Sequence, residues 1–377
     1  MVSASSNSAG PQPERTIGRR SFLTLSALSV VTGVSLVGCS RDSGQGGATS
    51  AQGTSSGQGS GAASRGQNKL VSLINTQAPG DNGPIDDMIA GLRKLGTDKG
   101  VQVRDTYVSD ASNFESALRS VAQSGAAVVI TNFDNMNGPM RAVAQQFPNT
   151  RFVHLYGDTS AQPLPNVLTV SYDYYLGCYL SGVLGAKAAP QGKVGYIGGT
   201  SDPGQIADYH AVGAGAGSVN SGASVPSAFV GSWQDPAKAL QVATQMFSGG
   251  AEYIQMETAA GDNGIIKAAG QGANRIVTGG SLRQFDIDPK VVVAAVYLDF
   301  GRSLYQEAEK ALADGFKGAA VHSGLADGVV DLVISDKYLA QGPADIVARV
   351  KAAKPEIEAI KQKIISGALT VPYQTTM

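Results

Sequence analysis

The sequence predicts an α/β protein of two lobes, each a parallel sheet flanked by helices, joined by a hinge that the chain crosses more than once. Three observations carry this reading. From Lys69 onward short β-rich runs alternate with segments of helical period; the succession starts afresh after Asp173; and the pieces from Val291 onward are too few for a third lobe. Residues 69–172 with about 299–322 are assigned to the first lobe, and 173–298 with about 323–377 to the second. A chain of 377 residues has room for two domains of ordinary size.

In the first lobe, Lys69–Asn75 (KLVSLIN) is an apolar-rich run of strand length. Ile85, Met88, Ile89, Leu92 and Leu95 then recur every three or four residues, the spacing of one helix face. Val101–Val108, Ala126–Thr131 and Arg151–Tyr156 read as strands, with helices over Asn113–Gln123 and Met136–Gln146 between them. The second lobe opens on a helix over Tyr174–Ala188. Strands at Lys193–Ile197, Val225–Val230, Glu252–Met256 and Arg275–Thr278 follow, separated by helices over Gln205–Val219, Pro236–Phe247 and Asn263–Ala269. The tail adds a strand at Val291–Val296 and a helix over Leu298–Ala313. Two short strands lie between Ala319 and Val333, around Gly324 and Gly328, and a last helix runs from about Ile346 to Ile365. Ligands of open α/β sheets sit at the carboxyl ends of the strands. Two such edges facing each other across a hinge make a cleft that can close.

Composition narrows the function. Lys and Arg number 29 against 30 Asp and Glu, a net charge of −1, so there is no basic face for nucleic acid. Cys39 and Cys178 are the only cysteines, and His154, His210 and His322 belong to no HExxH or CxxC pattern, so neither a metal site nor a cofactor is expected. Arg19-Arg20 followed by the uncharged run Phe22–Gly38 resembles a twin-arginine export signal. Leu36-Val37-Gly38-Cys39 resembles a lipobox, which assigns residues 1–38 to a signal peptide and lipidation to Cys39. Residues 39–68 then form a Ser/Gly-rich tether whose composition cannot offset its ordering entropy. These features place the body on the extracytoplasmic face of the cell membrane, held by a lipid anchor.

Enzyme motifs are missing from the sequence. There is no G-x-S-x-G elbow; Gly213–Gly217 alternates glycine with alanine inside a helix; and Gly195–Thr200 lacks the lysine of a phosphate loop. Asp86 and Asp87 stand at a helix start, where carboxylates complement the helix dipole. Strand-end position singles out Asn132, Phe133, Asp134 and Asp158 in lobe 1. In lobe 2 it singles out Glu257, Thr258, Gly261, Asp262 and Asn263, with Tyr297 and Asp299 near a crossing.

Four motifs in order add a resemblance. They are Phe147-Pro148-Asn149 with Phe152; the stretch from Asn166 to Gly199 (NVLTVSYDYYLGCYLSGVLGAKAAPQGKVGYIGG); Gly231-Ser232-Trp233-Gln234-Asp235-Pro236; and Gly249-Gly250-Ala251-Glu252. From Lys69 to about Leu332 the chain resembles the basic membrane protein family, purine-nucleoside-receptor-like substrate-binding lipoproteins of ABC transporters. The resemblance implies a type I periplasmic-binding-protein-like fold, a small polar ligand with a purine nucleoside as first choice, and an ABC permease as partner. It implies no catalytic residue. The family's D-x-S-F-N after the first strand stands here as Asp81-Asn82-Gly83-Pro84-Ile85, without the stacking ring. Its D-x-D-Q turn, whose first carboxylate holds a ribose, stands here as Ser281-Leu282-Arg283-Gln284. Trp233, the one tryptophan, remains as an aromatic platform. The ligand-binding set is therefore expected to be Asp81, Asn82, Phe133, Asp158, Trp233, Glu257, Gly261, Asp262, Ser281 and Arg283. A solute with an anionic group drawn to Arg283 is the alternative to a nucleoside. A sensing lipoprotein without transport, and a nucleoside hydrolase-type enzyme, are the alternative functions.

Overall fold

A computed structural model describes residues 69–80 and 83–377. Cys39, the paired Arg19 and Arg20, the tether, Asp81 and Asn82 lie outside the described residues.

The chain order begins with β1 (Leu70–Asn75), α1 (Pro84–Lys99), β2 (Gln102–Tyr107), α2 (Phe114–Gln123), β3 (Val128–Asn132), α3 (Asn137–Ala144), β4 (Arg151–Leu155) and β5 (Val167–Tyr172). It continues with α4 (Tyr174–Ala188), β6 (Val194–Gly198), α5 (Pro203–Val219), β7 (Ser227–Phe229), α6 (Pro236–Ser248), β8 (Tyr253–Glu257), α7 (Asp262–Gly270) and β9 (Ile276–Gly279). The last elements are β10 (Val292–Leu298), α8 (Phe300–Leu312), β11 (Ala319–Ser323), β12 (Val330–Ile334), α9 (Asp336–Gln341) and α10 (Ala344–Ile365). They form two six-stranded sheets, ordered β11-β5-β4-β3-β1-β2 and β12-β10-β9-β8-β6-β7. Every pairing is parallel except β10 with β12, an antiparallel edge.

Burial explains why these runs are strands. All five residues of β3 and of β6 are buried, as expected of central strands covered by helices on both faces. The edge strand β2 (QVRDTY) has no buried residue and carries its charges outward. Helix starts are set by side chains: Asp202, Asp235 and Asp299 accept from the backbone amides of Gln205, Lys238 and Arg302, and Pro203 and Pro236 open their helices.

The chain passes between the sheets after β5, after β10 and between β11 and β12. β5 is a strand that the sequence reading does not include; Thr169, Ser171 and the tyrosine that ends it break the apolar run. After the first passage, α4 is buried continuously from Gly177 to Gly185. It packs on α5 so tightly that a Cβ on Gly182 would lie 2.1 Å from the Val212 carbonyl oxygen, and one on Gly215 2.0 Å from that of Tyr179. Gly215 is thus a packing glycine, whereas Gly213 and Gly217 face open space. This close approach brings side chains of α4 and α5 together beside the second sheet.

Candidate functional site

In lobe 1 the residues just past β3 and β4 are Phe133 and Tyr156. Both have left-handed backbones, φ 65° and 58°, uncommon for residues with a side chain. The loops that hold them are tied back to the sheet: the Phe133 amide donates to the Leu155 carbonyl and the Gly157 amide to the Val170 carbonyl, each at 2.9 Å. Tyr172 ends β5 and Phe300 opens α8. The four rings make one cluster, with centroids 6.2 Å apart for Phe133–Tyr156, 5.6 Å for Tyr156–Tyr172 and 5.7 Å for Tyr172–Phe300. The Tyr172 hydroxyl is 2.8 Å from Ser303 Oγ. In the strands behind the rings, Asn132 donates to Asn75 Oδ1 at 2.9 Å, and Thr131 Oγ1 lies 2.6 Å from Nδ1 of buried His154. Burial pushes His154 down to about 4, so it is neutral at neutral pH.

The facing edge of lobe 2 has another chemistry. Cys178 from α4, Asp208 from α5 and Glu257 at the end of β8 bring their sulfur and carboxyl oxygens within 4.8 Å of one another. Tyr196 donates its hydroxyl to Glu257 Oε2 at 2.7 Å. Gln205 fixes the strand end, donating to the Glu257 carbonyl at 2.8 Å and accepting from the Thr200 amide at 2.9 Å. Burial pushes Glu257 up to about 7. Burial, then the Glu257 charge, pushes Asp208 well above the carboxylate range, and burial raises the Cys178 thiol as well.

A cavity of about 170 Å³ lies where the two edges meet. Asp134, Tyr156, Gly157, Ser171 and Tyr172 line it from lobe 1, and Gly204 and Asp208 from lobe 2. Tyr174 and Tyr175 at the first passage and Tyr373 of the C-terminal segment complete the wall; the Tyr175 and Tyr373 rings are 5.0 Å apart. Tyr156 has 45% of its surface exposed, yet it looks into this cleft. Burial there, followed by the carboxyls of Asp208, Glu257, Asp202 and Asp134, raises its phenol strongly.

The residues expected from sequence fall into three groups. Phe133 stands in the ring cluster, and Glu257 in the carboxyl group behind Asp208. Asp158, Gly261 and Asp262 do local structural work. Asp158 accepts from the amide and hydroxyl of Ser160, and Asp262 accepts from the Thr258 amide and hydroxyl and from Gln284 Nε2. A Cβ on Gly261 would meet Thr258 Oγ1 at 2.6 Å. Trp233 lies on the Gly198-Gly199 turn, where a Cβ on Gly199 would come within 2.7 Å of its ring, and does not line the cavity.

Ser281 and Arg283, the expected anion site, have partners within the protein. The Ser281 hydroxyl caps the short 3-10 helix Leu282–Asp286, and Arg283 pairs with Asp87 of α1 at 3.3 Å. Its charge faces a carboxylate of the other lobe. Tyr297 also donates to Asp87, at 3.3 Å, and with Asp299 it lines a separate open groove of about 620 Å³ between α1 and α8.

Of the cavity residues, sequence reasoning named Asp134 and missed the rest, among them Tyr156, Tyr172, Tyr174, Tyr175, Asp208 and Tyr373. Strand-end position marks Tyr156 by the same signal that marks Phe133, and Tyr172 too once β5 is known. Asp208 lies inside a helix and meets Cys178 only through the α4–α5 packing, which no local pattern reveals.

A profile of the Bmp family, described as ABC transporter substrate-binding protein PnrA-like, matches residues 69–375. The chain belongs to this family. It is 26% identical over 304 residues to basic membrane protein A2 of Borrelia garinii subsp. bavariensis, covering 78% of this chain and 86% of that protein. It is 28% identical over 284 residues to a purine-binding protein of Brucella abortus, covering 72% and 77%. Among solved structures, an ABC transporter solute-binding protein from Conexibacter woesei superposes with a TM-score of 0.65 at 25% identity, over 81% of this chain and 99% of that one. The two lobes are accordingly the type I solute-binding fold, and at family level this is a substrate-binding protein of ABC transporters rather than an enzyme.

Proposed function

We propose that this Bmp-family chain is a lipid-anchored protein on the extracytoplasmic face of the cell membrane that captures a small solute between its lobes and delivers it to an ABC permease. The observation that carries the reading is the ring-bearing edge of lobe 1 meeting the carboxyl-bearing edge of lobe 2 across one cavity. A planar solute stacks on rings, while polar groups on the other lobe fix its orientation. Closure follows because a solute touching both edges has higher affinity for the closed state. A purine nucleoside is the first ligand to test, supported by the relative named as purine-binding.

Mass spectrometry of small molecules released by denaturing freshly purified protein tests capture directly. A stoichiometric heterocyclic solute is the expected result, and inosine incubated with the protein stays intact. Free base formed faster than in buffer would overturn the binding reading in favour of hydrolysis. Anchoring rests on Cys39 and export on Arg19 and Arg20. Cys39→Ala is expected to move the folded body from washed membranes to the soluble fraction; retention on the membrane removes the lipoprotein assignment.

A further inference from the structure

Resting on the capture reading, we infer that the segment after α10 is a strap that walls the solute cavity, and that Tyr373 on it is a further solute-contacting residue that sets how long the solute stays. Among the described residues, the others that line the cavity all fall between Asp134 and Asp208, and Tyr373 alone is brought to it from beyond α10. Its ring meets that of Tyr175 edge-on, with centroids 5.0 Å apart and planes inclined at 62°.

The segment is built to hold that ring in place. Gly367, with φ 75°, follows the end of α10, and the Leu369 amide returns to the Lys363 carbonyl at 3.0 Å, which turns the chain back. Residues 369–377 then run without helix or strand. A surface segment with no ladder of its own is expected to be loose, yet this one is pinned on both sides of Tyr373. Two residues before it, Val371 is 4% exposed and belongs to the same apolar core as Leu180 of α4 and Val212 of α5. Three residues after it, the Thr376 carbonyl accepts from His210 Nε2 of α5 at 2.9 Å. Tyr373 itself is 61% exposed. A ring held at a cavity wall but not covered by the protein leaves a face for a solute to cover.

Such a wall slows escape more than entry, because the ring contact forms once the solute is seated. Tyr373→Ala is expected to shorten solute retention roughly threefold to tenfold, the loss of one aromatic contact, with the association rate and the Tm without solute nearly unchanged. Tyr373→Phe keeps the ring and is expected to retain the wild-type value. Val371 does not line the cavity, so Val371→Ala acts only through the position of the strap. The shortening it causes is expected to vanish when Tyr373 is already Ala, whereas a merely structural role would move Tm in both backgrounds and retention in neither.

The test is the retention of inosine read by native mass spectrometry: protein loaded with inosine is moved into inosine-free buffer and the loss of the bound mass is timed. Where the wild type keeps a co-purified solute rather than inosine, the loss of that mass is timed instead. Shorter retention in Tyr373→Ala, restored in Tyr373→Phe, supports the strap. Equal retention in Tyr373→Ala and wild type overturns it and leaves solute capture standing. A wild type that holds neither inosine nor a co-purified solute removes the capture reading itself, and the strap falls with it.

Discussion

The two edges that meet at the cavity are alike in topology and opposite in chemistry. Each is the carboxyl-end edge of a six-stranded sheet with parallel neighbours at its centre. Lobe 1 projects Phe133 and Tyr156 from left-handed positions and Tyr172 from a strand end, so it offers flat apolar surfaces. Lobe 2 offers Asp208 and Glu257, backed by Tyr196 and Cys178. One lobe can therefore recognise the plane of a solute and the other its charge and hydrogen bonds. On the proposed function, a ligand that engages both edges holds the lobes together, which would make closure a check on two properties at once.

The acidic edge is where the largest effect is expected, and it shows without ligand. Glu257 is held near 7 when folded and returns to an ordinary value near 4.5 when unfolded. Below 4.5 both states are protonated and the group contributes nothing. Between 4.5 and about 7 the native state keeps a proton that the unfolded chain has lost, so stability falls as pH rises, by up to ~3 kcal/mol. Above 7 both are ionised and the loss is complete. Glu257→Gln is expected to flatten this segment of the Tm–pH curve; an unchanged slope would mean that the carboxyl is not buried as described.

The ring edge is broken by Tyr156→Ala. Stacking contributes ~0.5 to 1.5 kcal/mol beyond the area lost, so affinity for the released solute is expected to fall roughly tenfold. Because Tyr156 is 45% exposed, Tm without ligand is expected to move little. A large drop in Tm with unchanged affinity would make the ring structural.

The smallest effect lies outside the cleft. Asp87→Asn removes the Arg283 pair between α1 and lobe 2, whose side chains are 22% and 48% exposed. Such pairs contribute at most ~1 kcal/mol. The fraction closed without solute, read by small-angle scattering, is expected to drop by up to about fivefold, and the same shift is expected in wild type on adding salt.

The alternation of strands and helices was legible because short β-branched apolar runs alternate with longer segments of helical period. The missed strand β5 carries Thr169, Ser171 and Tyr172, and losing it hid a cavity tyrosine. The site was half legible. Strand ends marked Phe133 and Glu257, but position alone could not show that Asp262 is bound by Thr258 and Gln284 while Asp208 pairs with Glu257. That distinction depends on whether Thr258 and Gln284 come within reach, a property of the packed fold. For Ser281 and Arg283 the sequence shows a hydroxyl and a guanidinium near a strand end, but neither the cap nor the partner carboxylate across the lobes.

Phe133 has φ 65° with ψ 160°, a region that residues other than glycine hardly enter and that costs ~1 to 3 kcal/mol. A glycine there would relieve the backbone and delete the ring. Keeping the ring and relaxing the backbone are therefore alternatives decided at a single codon. Heat selection is expected to favour Phe133→Gly over Phe133→Ala, because both lose the ring and glycine alone relieves the backbone.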